Sequence, residues 1–109
     1  MDKKNKSKLK NLVNRLRYHV IKMNILDTFS YNFFAFKDIL DNIKMMYDNL
    51  DISDDKNIFD YDKFNDDVMD INKMFHSISD SKDKDRFKEY LMRLVWDISE
   101  FERLAGLFE

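Results

Sequence analysis

Residues 83–107 read DKDRFKEYLMRLVWDISEFERLAGL, and within them the apolar side chains recur at Phe87, Leu91, Leu94, Ile98, Phe101 and Ala105. The steps alternate between four and three. An α-helix brings side chains three and four apart onto one face, so this spacing predicts an amphipathic helix with a single buried stripe. Two other segments repeat the pattern. One spans about 30–50, with Phe33, Phe36, Leu40, Ile43, Tyr47 and Leu50. The other spans about 60–77, with Tyr61, Phe64, Val68, Ile71 and Phe75. A further segment, about 7–24, carries Leu9, Leu12, Val13, Leu16, Val20 and Met23.

The intervening stretches, 24–29, 51–59 and 79–82, are polar, and Ser7, Ser30, Asp60 and Asp83 are the expected N-caps. With one glycine and no proline the chain lacks the residues that reverse short strands, whereas helix interiors need neither. Short connections favour antiparallel neighbours. The sequence therefore predicts an all-α, single-domain up-down bundle of four helices (about 7–24, 30–50, 60–77 and 83–107). The domain would span residues 1–109, with 1–6 a basic flexible N-terminal tail.

Composition narrows the function classes. Of 109 residues, 44% are hydrophobic and 37% charged, enough for a real core under a solvated surface. No apolar run approaches the roughly 20 residues that cross a bilayer, so no membrane is expected. The basic N-terminus leads into no apolar secretory core, and the expected compartment is the cytoplasm. The absence of cysteine excludes disulfides and thiolate zinc sites. Abundant Lys, Asn, Ile and Phe beside two alanines is the mark of AT-rich codons, which fits a bacterium of that kind or a phage, plasmid or virus living in one.

Catalytic equipment is sparse. His19 and His76 fall on different helices, and Gly106 alone cannot build a phosphate-cradling loop. No enzymatic activity, cofactor, metal or small-molecule substrate is expected. The loop 51–62 resembles an EF-hand calcium loop, with oxygen-bearing residues at Asp51, Ser53, Asp55, Asn57 and Asp62 and with Ile58 at position eight. It departs where Lys56 replaces the turn glycine and Asp62 the longer bidentate Glu. A solvated loop with helix-capping aspartates is the first reading of a chain holding 17 Asp, and a calcium-responsive helical protein ranks third among the functions considered.

Charge is distributed unevenly. Residues 1–22 carry a net +7 and the remainder −9. Lys4, Lys6, Lys8, Lys10, Arg15 and Arg17 flank both edges of the first apolar stripe, while Asn11, Asn14 and Tyr18 lie opposite it. Cations so placed commonly run along neighbouring helices to meet carboxylates, which is the preferred reading. The alternative is a nucleic-acid-binding module, or a small subunit of a nucleoprotein complex, using this helix.

Some large apolar side chains fall off the stripes. Trp96, Met92 and Leu107 share one side of the fourth helix, and Phe34 and Met45 share a face of the second. Such residues are enriched in interface cores. They suggest a small non-enzymatic protein that binds another protein or a second copy of itself. A mobile-element inhibitor, antitoxin or immunity-type accessory would be of this kind.

Overall fold

The structure, a computed structural model, describes residues 3–49 and 61–107. These form four helices: α1 (Lys3–Lys22), α2 (Phe29–Asn49), α3 (Tyr61–Ser77) and α4 (Ser81–Leu104), with a 3-10 turn at Leu26–Thr28 before α2. The stripes of three and four become the core. Leu9, Val13, Leu16 and Val20 of α1 are buried, as are Phe36, Leu40 and Ile43 of α2, Phe64, Val68 and Ile71 of α3, and Phe87, Leu91, Leu94, Ile98 and Phe101 of α4.

Contacts between helices fix their directions. His19 near the end of α1 meets Asn32 near the start of α2. Phe36 faces Phe64, and Phe29 faces Phe75, so α2 and α3 run oppositely. Phe75 lies against Phe87 and Lys63 against Asp97, which sets α4 antiparallel to α3. The bundle is up-down-up-down. Helix α1 packs closely on both α2 and α4, and α3 on α4, while the α2 and α3 backbones stand further apart and meet through large rings. Consequently α2 and α4 lie diagonally across the core.

The helix ends differ from expectation in instructive ways. Helix α1 begins at Lys3, so residues 3–6 belong to it rather than to a flexible tail, and Ser7 is internal. Between α1 and α2 the 3-10 turn carries the chain directly into Phe29, which is buried, so Ser30 lies within α2 and is not its cap. Phe29 anchors an aromatic cluster with Phe33, Phe75 and Phe87 at ring separations of 5.4, 4.1 and 5.6 Å. Offset and edge-on rings of this kind add to burial alone.

At α4 the cap is Asp80 rather than Asp83, because its side chain accepts from the Asp83 N–H at 2.9 Å. Asp83 returns the favour one residue earlier, accepting from the Ser79 hydroxyl and N–H at 2.9 and 3.1 Å. Those two bonds hold its carboxyl below the usual range. The C-terminus of α4 closes in a Schellman motif. Gly106 adopts φ 69°, its N–H bonds to the Arg103 carbonyl, and the Leu107 N–H reaches back to Glu102. The reversal drives Leu107 into the core, where it is fully buried. Asp60 and the calcium-loop residues Asp51 to Asn57 lie outside the described residues, while Asp62 sits exposed in the first turn of α3.

Candidate functional site

Helix α4 covers the core with one face and turns the opposite one to solvent. On that outer face Trp96 is 72% exposed and Met92, one turn earlier, 56%. Toward α1 the surface dips into an apolar groove of about 290 Å3, walled by Val20 and Ile21 from α1 and by Leu91, Met92 and Val95 from α4. Ile21 is itself 62% exposed. Toward α3 lies a second depression of about 340 Å3, lined by Lys63, Asp67, Arg93, Trp96 and Asp97.

That second depression holds unusual electrostatics. Lys63 Nζ stands 3.8 Å from Asp97 Oδ1, while Asp97 Oδ2 is buried and has no hydrogen-bond partner among the described residues. Burial, together with the neighbouring Asp67 carboxylate, pushes Asp97 up to about 7 against the opposing pull of Lys63.

Comparison with protein-family models, with curated proteins and with solved structures finds no match to this chain.

Of the off-stripe apolar residues, Trp96 and Met92 come together on α4 as expected. Phe34 and Met45 are exposed, at 78% and 66%, but they lie on α2 across the bundle, with the exposed Asp38 and Asp41 between them. Leu107 is a correction: an unbroken helix would carry it to the side of Trp96, but Gly106 reverses the chain and buries it. Ile21, Asp67 and Asp97 were missed. Each looks ordinary along its own helix, and only the packing of α1 and α3 on α4 sets Ile21 beside Met92 and Asp67 beside Asp97.

The basic residues separate into two groups. Arg17 pairs with the buried Glu102 of α4, the intramolecular balance expected, and so is withdrawn from any phosphate-binding set. Lys6 is half-buried and, like Lys10, already engaged. Lys4, Lys8 and Arg15 are exposed. His19 donates from Nδ1 to Asn32 Oδ1 at 3.0 Å, and the Asn32 amide donates to the Thr28 carbonyl at 3.0 Å. This network ties α1 to the start of α2 and gives His19 a structural role. His76 is exposed and stacks on Phe75. Among the described residues no three His, Asp or Glu are grouped to hold a metal ion, and no helix is long and apolar enough to cross a membrane.

Proposed function

We propose that this protein acts without catalysis, by binding another protein across the outer face of α4. The observation that carries the proposal is the exposure of Trp96, 72% open to solvent beside Met92 and the Ile21–Val95 groove. A free-standing bundle gains nothing from leaving its one indole in water, whereas tryptophan is the side chain most enriched where interfaces concentrate their energy. The partner supplies an apolar side chain to the groove. A small helical accessory of a mobile element, working as an inhibitor, antitoxin or immunity-type protein, fits this mode of action.

The test uses two baits in a lysate of the source organism, the wild-type chain and Trp96→Ala. A protein held by the first and released by the second, with both baits equally folded, supports the reading. Identical captured sets, or self-association as the sole Trp96-dependent interaction, refute it.

A further inference from the structure

A second surface, independent of Trp96, lies on α1. Every exposed residue from 3 to 15 is Lys, Ser, Asn or Arg, and residues 3–22 contain no carboxylate at all. Lys3 and Lys4 stand in the first turn, where the helix dipole disfavours cations and where acids are the stabilising choice. Local stability therefore does not account for them. Nor does intramolecular pairing account for the outermost row, since the ion pair to α4 is made by Arg17 on the inner flank. Lys4, Lys8 and Arg15 follow one another at four and seven residues along a single outward ridge, about 16 Å from end to end at 1.5 Å per residue. Beside them Ser7, Asn11 and Asn14 line a shallow polar depression.

We propose that this face of α1 binds duplex DNA through its phosphates, with Lys4, Lys8 and Arg15 as contacts. A duplex presents one negative charge per roughly 1.7 Å of axis, so the ridge lies alongside about ten of them. Asn11 and Asn14 sit between the basic rows, where their amides reach phosphate or base edges. Two other polyanions fit less well. A lipid surface takes an amphipathic helix by its apolar face, and here Leu9, Val13, Leu16 and Val20 are locked in the core. Single strands are held by stacking on successive aromatic rings, and this face of α1 offers one exposed ring, Tyr18, over which Lys22 already lies at 5.6 Å.

The full chain is titrated onto a labelled DNA duplex between 50 and 200 mM salt, alongside vesicles containing phosphatidylserine. With three to four phosphate contacts the logarithmic salt slope is about −3 to −4, a weakening of about a hundredfold over that range. Lys4→Gln/Lys8→Gln/Arg15→Gln removes about 3 from the slope and leaves the melting temperature unchanged, because Gln has a similar helix propensity. Trp96→Ala binds DNA like the wild type, which separates this surface from the protein-binding one. No binding at 50 mM salt, an unaltered slope in the triple variant, or tighter binding to the vesicles than to the duplex overturns the proposal.

Discussion

At Trp96 and Leu107 the sequence suggests one role and the structure divides it into two. Both are large, apolar and off the main stripe, yet Trp96 is 72% exposed and Leu107 fully buried. Trp96→Ala should change stability by less than about 0.5 kcal/mol, as surface substitutions do. Leu107→Ala should cost about 2 kcal/mol or more. Paired thermal melts decide the matter, and equal losses would contradict the described C-terminus. Gly106→Ala tests the same turn from the backbone side. A Cβ there meets nothing within 4 Å, so the cost is that of holding alanine at φ 69°, about 1–2 kcal/mol in chemical denaturation.

Asp97 makes a prediction about pH. Its carboxyl is pushed up to about 7 in the folded chain by burial and by Asp67, whereas an unfolded aspartate titrates near 3.8. A raised acid pKa means that the unfolded chain releases its proton first as pH rises. Stability should therefore fall from about pH 4 to pH 7 and level off above. Asp97→Asn mimics the neutral form and should raise stability at pH 8 by about 1–2 kcal/mol while flattening that dependence. A variant less stable than wild type at pH 8 would show that the Lys63 pairing outweighs burial.

At the level of the helices, what could be read in the sequence was periodicity, and what could not was where it stops. The buried faces of α2, α3 and α4 are those of their three-four stripes, because a helix with one apolar face has only one way to hide it. Helix ends depend on which of several adjacent polar residues wins the cap. Asp80 and Asp83 are chemically equivalent candidates, and the choice follows from Ser79 bonding to Asp83. Phe29 escaped notice because Ser30 beside it looks like a cap, although Phe29, Phe33 and Phe36 continue the α2 stripe. Asp80→Ala should cost about 1 kcal/mol by loss of the cap. Leu94→Ala and Ile98→Ala, both fully buried mid-helix, should each cost about 2–5 kcal/mol. A wild-type melting temperature in either core variant would refute the packing of α4.

Across the whole molecule, an elongated bundle of 47 × 22 × 22 Å separates its surfaces by helix. The outer face of α4 carries Trp96 and Met92 among charged side chains, that of α1 is basic, and that of α2 carries Tyr31, Phe34 and Met45 apart from both. The sequence showed which residues leave their stripes, but not which of them meet. Proximity of Ile21 to Met92, and of Asp67 to Asp97, is a property of how α1 and α3 pack on α4. Trp96, the one tryptophan in the chain, reports directly on the central proposal that this face receives a partner protein. Its emission and acrylamide quenching should be measured in dilute protein, then again after adding the captured partner. The account predicts a red-shifted, readily quenched indole that shifts to the blue and becomes shielded in the complex. An indole already blue and protected in the dilute protein, or one unmoved by the partner, would contradict it.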